Sequence, residues 1–457
     1  MINIRNYLDS ALLLFIPLLS FIICGCDSSI KEDTSRIIDE LEESLKSDLL
    51  DVWYPISLDT VYGGFLCDFT YDWQPKGRQY KMLVTQSRHL WTTSQAAIFY
   101  QDDRYRKLAE HGYRFLKNKM WDTEYGGFYM LRNQQGNAIQ EKNRDYKSAY
   151  GNAFAIYALA AYFTLTGDSS ALYLAQETFF WLEKHSHDSQ FKGYFDRMKL
   201  DGSLQNPEDS NQGKAKLSVT TWKDQNSSIH LLEAFTALYQ IWPHNLVREH
   251  LHELLVLIRD KITTEKGYLT LFLERDWTPV SFRDSSKAVR EANYFLDHVS
   301  FGHDVETAYL MLEVSHALRI ESVSNTLKIA KKMVDHALAN GWDKENGGFY
   351  YQGYYFRESD SISIINDKKI WWVQAEGLNA LLLMFKLFPE EKIYFSIFKQ
   401  QWNYIKKFMI DHEYGGWYAE GLDKSPGHKK APKAHAWKVN YHNFRALVNC
   451  LNMLKSG

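Results

Sequence analysis

Asp122–Leu131 reads DTEYGGFYML: an acidic residue, a turn built on two glycines, then aromatic residues. The same plan returns as DTVYGGFLCDF from Asp59, HDSQFKGYFDRM from His187, TTEKGYLTLF from Thr263, DKENGGFYYQG from Asp343 and DHEYGGWYAEG from Asp411. The glycines Gly64, Gly127, Gly193, Gly267, Gly348 and Gly416 stand 63, 66, 74, 81 and 68 residues apart. Self-similarity on this scale marks a repeated supersecondary unit, here present six times.

Between the glycine turns, apolar residues recur with helical period. The pattern predicts helices near 35–50, 83–101, 103–119, 147–166, 169–185, 222–241, 245–262, 303–320, 322–340, 370–387, 390–409 and 438–455, two per unit. The second of each pair is the more apolar, as in YGNAFAIYALAAYF and IWWVQAEGLNALLLMF. A helix apolar on most sides is buried, which puts these inside and their amphipathic partners outside. Six such hairpins close most simply into an all-α (α/α)6 toroid formed by residues 35–457. An open solenoid of helix pairs is the alternative, but its inner helices would not be polar at one end only.

Apolar residues make up 45% of the chain and charged residues 24%, as in a globular protein. A net charge of -3 without a long basic run gives no footprint for nucleic acid. The 14 Trp, 29 Tyr and 26 Phe suit core filling and stacking on sugar faces equally. The start of the chain carries Arg5, an apolar run from Ala11 to Ile23 and ICGC at 23–26, which reads as a lipoprotein signal peptide over residues 1–25 with lipid attachment at Cys26. Residues 26–34 would then tether the domain to a membrane, and the protein would be an exported lipoprotein of a Gram-negative-type bacterium, on its periplasmic or outer-membrane side. Cys67 and Cys450 remain as a disulfide pair or as free packed thiols.

In a toroid of up-down hairpins, all inner helices run one way and open at one mouth. Their first turns bring Arg88; Tyr150 and Asn152; Asn226, His230 and Glu233; His303, Asp304 and Glu306; Trp371, Trp372, Gln374 and Glu376; and Trp437, Lys438, Tyr441, His442 and Arg445. A lone histidine on an apolar helix is more often a core residue than a catalyst, but three at equivalent positions of different units are not easily coincidental. His303 and Glu306, like His230 and Glu233, are three apart and share a helix face, so the carboxylate is expected to orient the imidazole. There is no HExxH, and the Arg and Lys beside the histidines repel a cation, so neither a metal nor another cofactor is expected. Imidazoles that take and return a proton near neutrality, together with a guanidinium and helix N-termini that favour an oxyanion, suit proton abstraction next to a carbonyl. Two imidazoles on opposite faces of an enediolate would give the C2 epimer of a sugar.

The set NSSIHLLEA, FGHDVETAYL, WWVQAE and WKVNYHNFR resembles the N-acylglucosamine 2-epimerase superfamily, in particular its cellobiose or mannobiose 2-epimerase branch, over about residues 35–455. The resemblance implies an acid/base pair in His303 and His442, and His230 assisting ring opening. It also implies Arg88 as the cation beside O1, Glu306 as the partner of His303, and Asn226, Trp371, Trp372, Glu376 and Trp437 as substrate contacts; Tyr150, Asn152 and Glu233 join them at the same mouth. Three features depart from the family pattern: Asn440 in place of a proline, YGN where a glutamine is common, and long loops at 197–217, 276–298 and 351–369. The substrate implied is a mono- or oligosaccharide, and the activity an isomerase's: a 2-epimerase acting on a β-1,4-linked disaccharide, an aldose-ketose isomerase or an N-acylglucosamine 2-epimerase. More distant are an (α/α)6 glycoside hydrolase, which needs two carboxylates flanking the bond, and a glycan-binding lipoprotein without catalysis.

Overall fold

The computed structural model describes residues 26–139, 145–205, 222–320, 324–357 and 359–456. The expected signal peptide, residues 1–25, lies outside the described residues. Helix α1 (Cys26–Glu43) continues through a π-helical Ser44–Leu50 into Asp51–Ile56. There follow α2 (Leu83–Tyr100), α3 (Asp103–Phe115), α4 (Ala149–Thr166), α5 (Ser169–His185), α6 (Gln225–Ile241) and α7 (Asn245–Leu257). The second half holds α8 (Lys287–Asp297), α9 (Phe301–Ala317), α10 (Ser324–Gly341), α11 (Trp371–Leu387), α12 (Ile393–Tyr404) and α13 (Tyr441–Lys455).

Helices α2, α4, α6, α9, α11 and α13 each pack on the next, and α13 packs back on α2. The ring is therefore closed, an (α/α)6 barrel rather than an open solenoid. Helix α1 lies against α13, so the first and last helices of the described chain form one of the six hairpins. The inner helices are buried on nearly every side, as their composition predicts; α4 exposes almost none of its first turns. Cys67 and Cys450 are both buried free thiols.

Five of the six glycine turns are built alike; the one at Gly267 has Thr264 in place of the aspartate, its hydroxyl accepting the Tyr268 N–H. The leading aspartate accepts two turn N–H groups through one oxygen, as Asp122 does from Glu124 (2.9 Å) and Tyr125 (3.3 Å). Its other oxygen takes a buried lysine that precedes the inner helix: Lys147 on Asp122 at 2.6 Å, Lys81 on Asp59 at 2.8 Å, Lys369 on Asp343 at 2.7 Å. At Gly127 (φ +71°) a Cβ would lie 2.7 Å from Trp181, and at Gly193 (φ +70°) 2.5 Å from Trp277. Only glycine both adopts this left-handed backbone readily and admits the neighbouring indole. An inner-helix amide then closes the turn: Gln86 bonds the Phe65 backbone, Gln374 that of Phe349 and Asn152 that of Phe128.

Several boundaries differ from expectation. Residues 26–34 belong to helix α1, and Asp33 is held by Lys399 at 2.6 Å. The inner helices α4, α6 and α13 start two or three residues later than their periodicity suggests. Before α4 and α6 the lysine sits in a two-residue strand, Lys147–Ser148 or Lys223–Asp224. Of the long loops, 276–298 contains α8, and 351–369 contains an antiparallel hairpin of Gln352–Tyr355 with Ile362–Asn366.

Candidate active site

The inner N-termini bring polar side chains into the ring in two layers. His303 and Trp372 belong to the outer one. Ser300 stands at the N-cap of α9, where a hydroxyl normally accepts a backbone N–H at about 1 kcal/mol of stabilisation. It makes no cap bond; its Oγ lies 2.9 Å from His303 Nδ1, with the Gln225 amide nitrogen 3.2 Å away on the same ring nitrogen. With the Gln225 amide turned so that its otherwise unpartnered Oε1 faces this nitrogen, Nδ1–H donates to the Ser300 and Gln225 oxygens and Nε2 keeps the lone pair that a base requires. His303 packs on the Trp372 ring (centroids 4.6 Å), and His442 lies at 5.8 Å from the same indole.

One turn deeper, Arg445 is the hub. It is almost wholly buried and bonds Glu306 (2.5 Å), Glu376 (2.7 Å), Glu233 and the Tyr441 hydroxyl (2.6 Å). Guanidinium with carboxylates is the pairing best able to hold charge out of water. The carboxylates in turn orient imidazoles: Glu233 Oε2 meets His230 Nδ1 at 2.9 Å, and Glu376 Oε1 meets His442 Nδ1 at 2.7 Å. Tyr441 donates to Glu233 at 2.5 Å. Burial pushes His303 and His442 well below the ordinary imidazole value. Burial also works to raise Glu233, but the Arg445 charge and the His230 hydrogen bond bring it down to about 2.

Arg88 donates to the Tyr150 hydroxyl (3.1 Å) and the Trp437 carbonyl (3.3 Å), its guanidinium over the rings of Phe154 (4.5 Å) and Tyr441 (5.1 Å). His230 meets Tyr150 edge to face at 5.2 Å, and the half-buried Asn226 bonds the same tyrosine. Trp437, 49% exposed, stands at the rim.

Six residues of these first turns are engaged by the protein itself. Glu306 does not partner His303: it bonds Arg445 and comes within 3.9 Å of His442, because one helical turn carries it into the deeper layer where the guanidinium attracts it. Glu376 and Glu233 are buried and position histidines, leaving little of either for a sugar. Asn152 has both ends of its amide on backbone, receiving Phe128 N–H at 2.7 Å and donating to Ser148 O at 2.9 Å. Trp371 turns toward His435 (5.8 Å) and lines a neighbouring cavity of about 380 Å³ with Phe69 and Ala434. Asp304, prominent in the same first turn, is buried and accepts the Leu269 N–H at 2.9 Å. The roles of Ser300, Gln225, Tyr441 and Arg445 are absent from the sequence reading. A signal existed for the last: Arg88, His230, Glu376 and Arg445 each follow a lysine by seven residues (Lys81, Lys223, Lys369, Lys438).

The ring of inner helices gathers imidazoles, carboxylates and guanidinium groups at one mouth, a set suited to moving protons on a polar substrate. The N-acylglucosamine 2-epimerase (GlcNAc 2-epimerase) family model matches residues 63–446, and the chain belongs to that family. It is 27% identical to a cellobiose 2-epimerase of Bacteroides fragilis over 414 residues, 90% of this chain and 98% of that one. To a D-mannose isomerase of Marinomonas mediterranea it is 26% identical over 412 residues, 88% and 94% of the two chains. The solved cellobiose 2-epimerase from Spirochaeta thermophila superposes with a TM-score of 0.78 at 29% identity, covering 94% of this chain and 99% of that one. The protein is thus an isomerase of the sugar 2-epimerase family.

Proposed function

We propose that the protein epimerises C2 of the reducing-end sugar of a β-1,4-linked disaccharide such as cellobiose or mannobiose. The observation that carries the reading is the pair His303 and His442 at a single indole, Trp372. His230, oriented by Glu233, assists opening of the hemiacetal, and Arg88 lies beside the O1 that results. A neutral imidazole removes the C2 proton; the electron pair of that bond forms C1=C2 as the carbonyl pair moves to O1, where positive charge and helix N-termini favour the oxyanion. The other imidazole delivers a proton to the opposite face of C2. His303, with only neutral partners, suits the first task; His442, neutral at rest through burial, has Glu376 and Glu306 beside it to steady the charge once it carries the proton that the second requires. Trp437 at the rim is a platform for the second sugar ring. The likeness to both a cellobiose 2-epimerase and a D-mannose isomerase supports a second reading, in which the proton returns to C1 and a ketose forms.

Incubation with cellobiose, mannobiose, glucose and mannose in D₂O, followed by NMR, tests the reading. The C2 epimer carrying deuterium at C2 is expected; a ketose would select the second reading, and free monosaccharides from a disaccharide would reject both. We also infer export and lipidation at Cys26, on the strength of the apolar run Ala11–Ile23 and the ICGC ending. Labelling of the expressed full chain with a fatty-acid analogue, lost in Cys26→Ser, is the expected result; label retained in that variant, or absent from the wild type, would reject it.

A further inference from the structure

Among the described residues, two groups of imidazole and carboxylate atoms lie close enough to share a cation: Glu306, Glu376 and His442 in the active site, and Glu183, His187 and His250 on the outer ring. The first is filled by the Arg445 guanidinium, which already neutralises its carboxylates. Among the described residues no guanidinium bonds the second. His187, whose sequence position suggests a surface or loop residue, is only 9% exposed and sits between α5 and α7, the outer helices of adjacent units.

The atoms are arranged as a metal site requires. Glu183 Oε1 accepts the Tyr194 hydroxyl at 2.5 Å, which turns Oε2 inward. That oxygen lies 3.0 Å from His250 Nε2 and 4.0 Å from His187 Nδ1. The other nitrogen of His187, Nε2, is 2.9 Å from Glu253 Oε1. With Nε2–H donating to Glu253, Nδ1 carries the free lone pair; a carboxylate on the far nitrogen is the usual support of a metal-bound histidine. The two imidazoles meet at a centroid distance of 4.5 Å and 81°. Glu183 and Glu253 keep about 13% of their surface, which leaves a path for entry. Lys192 Nζ, 3.5 Å from Glu253 and half exposed, is free to swing out.

We propose that Glu183, His187 and His250 form a site for a borderline divalent cation of the Zn²⁺ class, with Glu253 as the outer support and water in the fourth position. Binding displaces the proton shared by His250 and Glu183, and no redox step is involved. By tying α5 to α7 outside the barrel, the ion clamps two units without touching the sugar site.

The test uses the full chain stripped with a chelator. Calorimetric titration with Zn²⁺ should show one equivalent with proton release, a higher thermal unfolding midpoint, and, with Co²⁺, the visible absorption of four-coordinate cobalt. His250→Ala and Glu183→Gln should each lose the binding, and Glu253→Gln should weaken it about 10- to 100-fold. All three should keep isomerase activity, which also shows that they fold. His442→Ala should still bind one equivalent, which separates this site from the active-site cluster. The proposal is overturned if wild type takes up no Zn²⁺ beyond the His250→Ala variant, or if the equivalent vanishes only in His442→Ala.

Discussion

Glu376 Oε1 lies 2.7 Å from His442 Nδ1, whereas among the described residues no carboxylate bonds the His303 ring. The two imidazoles at Trp372 are therefore chemically unequal: burial keeps both neutral at rest, but only His442 has a carboxylate on its ring to steady a positive charge when it takes up a proton. His303→Ala and His442→Ala should each lower turnover by about 10²-fold or more, the usual worth of a general acid or base, with unchanged helical circular dichroism. Glu376→Gln keeps an acceptor at His442 without its charge and should cost less than His442→Ala. Near-normal turnover in either alanine variant would remove that histidine from the acid/base pair.

Burial holds His303 well below the ordinary imidazole value, so it stays unprotonated at a pH where a solvated histidine is charged. As pH falls, a base is lost only below its own pKa. The acidic limb of kcat/KM should therefore lie below about 6.5, the unperturbed value. A limb at pH 7 or above in the wild-type profile would contradict His303 as the base.

Much of this arrangement could be read from residue order, and the reasons it stops are physical. Gly127 and Gly193 are dictated by positive φ and by Trp181 and Trp277 pressing on them, so the six-unit plan survives in the sequence as glycine. His230, His303 and His442 stand out because a polar group on an apolar inner helix needs a reason. What spacing cannot supply is the competition across the ring. Glu306 shares a helix face with His303, yet Arg445, contributed by a helix 139 residues away in sequence, attracts it more strongly. Asn152 and Asp304 look like site residues because they stand in the same first turns, but their polar atoms serve the backbone of the glycine turns.

Arg445 compensates Glu233, Glu306 and Glu376 at once. Arg445→Met should leave these carboxylates buried without their cation, at a cost of about 3–5 kcal/mol as for other broken buried pairs. It should also slow turnover by releasing the groups that orient His230 and His442. Chemical denaturation and kcat measure the two effects. A variant as stable as wild type would show that the hub is not needed for folding, and normal kcat would show that it does not position the histidines.

The lysine paired with the aspartate of five of the glycine turns makes the corresponding claim about the fold itself. Burial alone would raise Asp122, but the Lys147 hydrogen bond, helped by the turn N–H groups, brings it below its model-peptide value. A carboxyl depressed in the folded state adds stability above its unfolded pKa, about 3.9, and loses that contribution as pH falls through the folded value. Lys147→Met removes the partner and should destabilise the protein by about 3–5 kcal/mol at pH 7. The gap to wild type should narrow as the pH is lowered through 4, where the unpaired Asp122 takes up a proton. Asp122→Asn combined with Lys147→Met should recover part of the loss, since an amide can still accept the Glu124 and Tyr125 N–H groups without a buried charge. Denaturation midpoints of the three variants at pH 7 and pH 4 decide it: a gap that does not change with pH would mean that Lys147 acts through packing rather than through its charge on Asp122.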